Sequence, residues 1–295
     1  IDGSRLRHAK RNGDADLHAY DYCLQGSRLL RKGSLEHDEA ARRLFRKALE
    51  ICPDYPGAYS GLSQSYFNEW SCRVWHRWRE TEAEAFRHAT KALELDEADH
   101  VSHLILGRVF LYRREFPIAE KHHERSLELN SNDPDILFQL SLGFGLLGRK
   151  DEALELARRG LELHPGPEDW ALLAASVAHY WNGDLETALG LASRAHDMVF
   201  VDSDAYACSL LGHLGRQQEA RARFGQFERS FRRCIDDGPK VDVALMLDWM
   251  TYVNPYRDPV DLAFVLDGIA AAGIPVDPAL YDDRYRRDPG AFPGT

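Results

Sequence analysis

The side chains in this sequence best suited to chemistry are histidines, tryptophans and one arginine. His100 and His103, followed by His122 and His123, supply enough imidazoles to invite a metal ion. Nothing around them completes the pattern: there is no HExxH, no CxxC pair and no acidic calcium loop. They are expected as core or surface histidines, with no metal. The sequence also lacks a GxSxG, a Walker A stretch and a GxGxxG, so it offers neither a nucleophile elbow nor a phosphate cradle. Neither catalysis nor a cofactor is expected. Trp70, Trp75 and Trp78 interleave with Arg73, Arg77 and Arg79, and Trp and Arg are the types that dominate binding hot spots. That stretch reads as a projecting adhesive surface or as the packing of an elongated hairpin onto its own scaffold. Base stacking by the same residues is disfavoured by the net charge of -10.

The elements that must position these groups are written three times. Lys91-Ala92-Leu93-Glu94-Leu95-Asp96, Arg125-Ser126-Leu127-Glu128-Leu129-Asn130 and Arg159-Gly160-Leu161-Glu162-Leu163-His164 follow one another at 34-residue intervals. That is the period of the tetratricopeptide repeat (TPR), a helical hairpin whose apolar face is covered only when another hairpin stacks on it. An earlier copy, Lys47 to Cys52, precedes the first by 44 residues, so one repeat carries an insertion of about ten, placed at 68–79. The fold expected is all-α: a right-handed superhelical TPR solenoid of about six helical hairpins with C-terminal capping helices. It should occupy 16–273, between a polar lead at 1–15 and an extended tail at 274–295.

Small and aromatic residues fall in register along it. The first repeat has Tyr22, Gly26, Ala41, Phe45, Ala48 and Pro53, and the second Gly61, Ala85, Ala89 and Ala92. The third has His103, Gly107, Phe110 and Ala119, and the fourth Leu140, Phe144, Gly148 and Ala153. The fifth has Ser176, Gly183, Ala188 and Ala195, and a weaker sixth has Cys208, Gly215, Ala220 and Phe224. Gly107 should mark a close helix contact. A helix from Val241 to Val253 should follow, and then one capped by Asp258 with Pro259 in its first turn, ending near Ala272 and closing the solenoid.

In such a superhelix the first helix of each hairpin lines a concave groove. The inward positions are Gln64 and Phe67; Leu104, Arg108 and Leu111; Asp135, Phe138 and Leu142; and Trp170, Leu173, Val177 and Tyr180. The groove so composed is apolar and aromatic, suited to a protein or peptide segment held by aromatic anchors. Arg108 is the candidate for orienting an acidic group, because a guanidinium offers a fixed fork of donors. The Lys/Asn/Arg clamp that grips a terminal carboxylate in some modules of this fold is missing. The alternative is a small-molecule pocket at Phe138, Trp170 and Tyr180 in the same groove.

Composition narrows the setting. With 44% hydrophobic and 28% charged residues, no apolar run reaches the roughly 18 residues of a membrane span. One short basic stretch, Arg5 to Arg11, is too little for a nucleic-acid footprint. Five scattered cysteines read as free thiols of a reducing, cytoplasmic compartment. A chain beginning with Ile1 suggests a fragment with a portion upstream.

Two end segments go beyond generic repeats: Asp16-Leu17-His18-Ala19-Tyr20-Asp21-Tyr22-Cys23-Leu24-Gln25-Gly26 and Asn254-Pro255-Tyr256-Arg257-Asp258-Pro259-Val260-Asp261-Leu262. With the repeats between them, the chain resembles the C-terminal sensory and scaffolding region of bacterial class III adenylate/guanylate cyclases and of related winged-helix transcriptional regulators. That resemblance implies a bacterial signalling protein whose output domain lies upstream and is a possible partner of this region. The metal-binding aspartates of a cyclase and the recognition helix of a regulator have no counterpart here.

Overall fold

Ala41, Phe45 and Ala48 recur three and four residues apart, which puts them on one stripe of a helix, and all three are fully buried. The same rule builds every hairpin in the computed structural model, which describes residues 14–32, 34–72, 77–195 and 200–281. Six hairpins follow in order: α1 (Asp14–Leu30) with α2 (Leu35–Ile51), α3 (Pro56–Cys72) with α4 (Trp78–Leu95), α5 (His100–Tyr112) with α6 (Phe116–Leu129), α7 (Pro134–Leu146) with α8 (Lys150–Leu163), α9 (Asp169–Trp181) with α10 (Leu185–Ala192), and α11 (Ser203–His213) with α12 (Gln217–Cys234). Two further helices, α13 (Val243–Val253) and α14 (Pro259–Ala271), and a 3₁₀ turn at Pro278–Tyr281 complete the described residues, which contain no strand. None of these helices is long and apolar enough to cross a membrane.

First and second helices differ in composition because they differ in surroundings. α5, α7 and α9 are apolar nearly all round, since each packs against its own hairpin partner and against its counterparts before and after. The second helices are amphipathic: α8 buries Ala153, Leu156, Ala157 and Gly160 and leaves Asp151, Glu152 and Arg158 outside. Turns between the two follow a shared geometry, with Gly148, Gly183 and Gly215 at φ of +81°, +75° and +72°. Arg114 takes the same left-handed place in the third hairpin at φ +60°, although it carries a side chain.

Capping fixes several boundaries. Ser34 Oγ accepts from the His37 N–H at 3.2 Å, so α2 starts at Leu35 rather than at Glu39. Asp242 accepts from the Leu245 N–H at 2.9 Å, which moves the start of the next helix from Val241 to Val243. Asp258 caps α14 with Pro259 at its first position, as the sequence predicts. The insertion lengthens α3 and α4 to 17 and 18 residues, beside 13 and 14 in the next hairpin. α10 has only 8 residues, so Ala195 lies beyond it rather than in the second helix of its repeat.

The register glycines make slots for rings. A Cβ on Gly26 or Gly61 would collide with Phe45, and one on Gly107 or Gly143 with His123, so each ring is clamped between successive first helices. The last two helices turn back. α14 crosses α11 so closely that a Cβ on Gly212 would strike the Gly268 carbonyl, and Ser209 Oγ donates to the Val265 carbonyl at 2.6 Å. α13 packs Trp249 on Phe231 and Phe227 of α12, with ring centroids 5.5 and 6.4 Å apart.

Candidate ligand cavity on the concave side

The turn from α13 to α14 determines what the inner face offers. Tyr252 sits 5.9 Å from Trp78, and its carbonyl accepts from Arg114 Nη2 at 3.3 Å. Four residues on, Tyr256 accepts a hydrogen bond from Trp181 Nε1 at 3.0 Å, and the Arg257 N–H donates to the Leu146 carbonyl at 2.9 Å. Asn254 Nδ2 donates to Asp202 at 2.7 Å, and Tyr206 Oη donates to Asn254 Oδ1 at 2.9 Å. Lys150 pairs with the buried Asp261 at 2.6 Å, and Arg257 with Glu120 at 3.1 Å. Residues 252–261 thus form a strap joining the ends and turns of the second through sixth hairpins.

Beneath this strap lies a partly enclosed cavity of about 160 Å³. One end is aromatic: Trp70 lies 5.1 Å from Trp78 and 4.7 Å from Tyr112 between ring centroids. Arg108 enters from α5, its guanidinium 5.5 Å from the Phe67 ring and 5.7 Å from Tyr112. Aliphatic walls come from Leu142, Leu146, Leu173 and Val177, and the far end from Tyr180, Tyr206, Trp249 and Asn254. Burial holds the Tyr180 and Tyr206 hydroxyls well above the ordinary phenol range, so both stay protonated.

The cavity gathers groups that the sequence kept apart. Trp70 and Trp78, which the sequence leaves as either a projecting surface or packing onto the scaffold, are buried and face the same space as Arg108, Leu142, Leu173, Val177 and Tyr180. Trp75 lies outside the described residues. Leu104, Leu111 and Phe138, expected on the groove wall, are fully buried between helices. The reason is that a first helix has a neighbour on either side, which leaves only a narrow stripe for the groove. Phe138 fills the space over Gly160, and Trp170 stands half-exposed at 6.1 Å from it, outside the cavity. The trio Phe138, Trp170 and Tyr180 therefore does not form one pocket. Gln64 and Phe67 also lie off the lining, half-buried and buried respectively. Tyr112, Trp181, Tyr206 and Trp249 were missed because nothing in a 34-residue register announces a strap that folds back.

His103 and His122 meet Nδ1 to Nδ1 at 3.0 Å, and His103 Nε2 is 3.1 Å from the Glu97 carbonyl. No three His, Cys, Asp or Glu converge as a metal site would require among the described residues. Asp135 is held up to about 6 by burial and by nearby Asp133 and Glu168.

No protein-family model matches the chain, and no curated protein matches it in sequence. Solved structures do. The human IFIT1 dimer with PPP-AAAA is 14% identical over 90% of this chain and 72% of its own, with a TM-score of 0.58. The APC/C hetero-tetramer Cut9-Hcn1 is 16% identical over 78% of this chain and 43% of its own, with a TM-score of 0.53. TTC0263, a thermophilic TPR protein of Thermus thermophilus, is 18% identical over 71% and 98%, with a TM-score of 0.47. At these identities what is shared is architecture, and the architecture of this chain is the all-α TPR solenoid.

Proposed function

We propose that this chain is a non-catalytic binding module that takes a small, largely apolar molecule into the cavity and passes its occupancy to an output domain, attached or separate. The observation that supports this reading is the strap. A partner helix about 10–12 Å across needs an open groove, whereas Trp249, Val253 and Asn254 already share the space in front of the inward residues Arg108, Leu142, Leu173 and Val177. The space left, about 160 Å³, compares with the roughly 150 Å³ in which an apolar cavity holds benzene. The resemblance of the two end segments to the sensory regions of class III cyclases and winged-helix regulators favours a cytoplasmic bacterial signalling protein as the setting.

A second reading has its own observation. Trp170 is half-exposed beside Phe138 and outside the cavity, where it could anchor a protein or peptide segment. Two neutral probes test the first reading. Indole and toluene should raise the melting temperature and shift the tryptophan emission of the wild-type chain. Val177→Trp, which fills the cavity from α9, should abolish both effects while keeping the helical circular dichroism. Failure of both probes at millimolar concentration would make the small-molecule reading wrong and leave Trp170 as the site to pursue.

A further inference from the structure

We infer that the cavity selects a small monocarboxylic acid with an apolar, preferably aromatic body, and that Arg108 is the residue that takes its carboxylate. The inference rests on the cavity reading above and adds the ligand's charge. Arg108 is 7% exposed, and its Nε and Nη1 have no hydrogen-bond acceptor. It makes no ion pair among the described residues; its near neighbours are the faces of Phe67 and Tyr112. A guanidinium has no neutral form to adopt in a protein, so burial without an anion leaves its charge uncompensated. Two other buried charges do have an opposite partner: Glu69 is met by Arg42 at 2.6 Å and by Arg77 at 3.1 Å, and Asp261 by Lys150 at 2.6 Å. Arg108 has no such partner among the described residues, and it lines the cavity.

The acids that share the cavity are already engaged. Asp204 pairs with Arg223 at 3.0 Å, and Asp202 accepts from Asn254 at 2.7 Å. At the Arg108 end the second unmatched group is another donor, the buried indole Nε1 of Trp70. Two groups that only donate call for a ligand group that only accepts. One uncompensated positive charge calls for one negative charge, which selects a carboxylate over a phosphate dianion. Trp70, Trp78, Tyr112 and Leu146 surround these donors, so the rest of the ligand must be apolar.

The test compares acids with their neutral isosteres: phenylacetate with phenylacetamide, and indole-3-acetate with indole-3-acetamide, by calorimetry and tryptophan fluorescence. Wild type should bind each acid at least about tenfold more tightly than its amide, the range of a charged hydrogen bond. Arg108→Gln should erase that preference while amide binding stays within about threefold. Trp70→Phe, which keeps a ring and removes the N–H, should weaken the acids alone. Arg108→Met should keep its helical signal and melt no lower than wild type, since no anion holds the guanidinium in the empty chain. A fall of more than about 5 °C would show Arg108 to be a structural group and overturn the inference. Equal affinity for acids and amides would also overturn it, while leaving the cavity as a site for neutral molecules. A short peptide ending in a free aromatic carboxylate forms the second arm. If it binds more tightly than the free acids, the carboxylate comes from a protein partner and the small-molecule assignment fails.

Discussion

At the scale of single residues, His123 shows how an ordinary side chain becomes a condition on the fold. Its ring is fully buried in the slot between Gly107 and Gly143, and neither nitrogen finds a partner. Burial, reinforced by the nearby charge of Arg108, pushes its pKa down to about 3 from an ordinary 6.5. The folded chain thus refuses a proton that the unfolded chain accepts. This contribution to stability is complete above about 6.5 and is lost as the pH falls towards 3, with a slope of about 1.4 kcal/mol per pH unit. Phe45 fills the corresponding slot between Gly26 and Gly61 without titrating. His123→Phe should therefore match or exceed wild type at pH 7 and lose one proton's worth of slope between pH 6 and 4, measured by urea midpoints at each pH. His88 and His122, each lowered to about 4 by burial, keep the remaining acid sensitivity. Wild type and variant declining in parallel would mean that the ring is not held neutral.

At the scale of elements, α14 anchors the far end of the strap. Its hold on α11 depends on the backbone contact of Gly268 with Gly212, on Ser209 donating to Val265, and on His213 Nε2 at 2.8 Å from the Phe264 carbonyl. A side chain at Gly212 would meet main chain, which cannot rotate aside as a long side chain can. Gly212→Leu should cost more than the usual 1–3 kcal/mol of an overpacked site, or release α14 with the strap. Released, the protein should bind a hydrophobic dye and lose its affinity for indole while α3 to α10 keep their helicity. An unchanged melting temperature would contradict the close crossing. Arg114 belongs to the same device, since its strained φ is retained where its guanidinium reaches the Tyr252 carbonyl and lies 5.4 Å from the Tyr252 ring.

At the scale of the whole molecule, the strap changes how a repeat protein should unfold. A plain solenoid is held by nearest-neighbour interfaces and can open from either end. Here the turn after α5, and α7, α9 and α11, are tied to α13, to α14 or to the strap between them over separations of up to 138 residues. The first hairpin has its own core with the start of α3, built on Ala19, Phe45, Tyr55 and Leu62. Hydrogen exchange should therefore find α1 and α2 opening at a lower free energy, with α5 to α14 exchanging as one unit. Protection that declines step by step from α5 to α14 would mean that the strap carries no coupling.

What the sequence determined by itself is whatever depends on local spacing. The 34-residue period, the small residues at helix contacts and the Asp258-Pro259 start signal specify six hairpins and the final helices, because hairpin stacking repeats the same short-range contacts. Arg108 was legible too, as a lone charge at an inward position of an apolar groove. The tertiary structure alone decided where the inner face is open. Inward positions were assigned as if the groove were empty, yet Leu104, Leu111 and Phe138 are consumed by neighbouring helices, and Trp249, Val253 and Asn254 take up part of the space before the rest. Trp70 and Trp78 joined Arg108 in one cavity only because α3 and α4 extend far enough to bring them to Tyr112. The strap's hydrogen bonds link residues from 48 to 138 positions apart, and a 34-residue register records nothing of contacts between a strap and hairpins that far away.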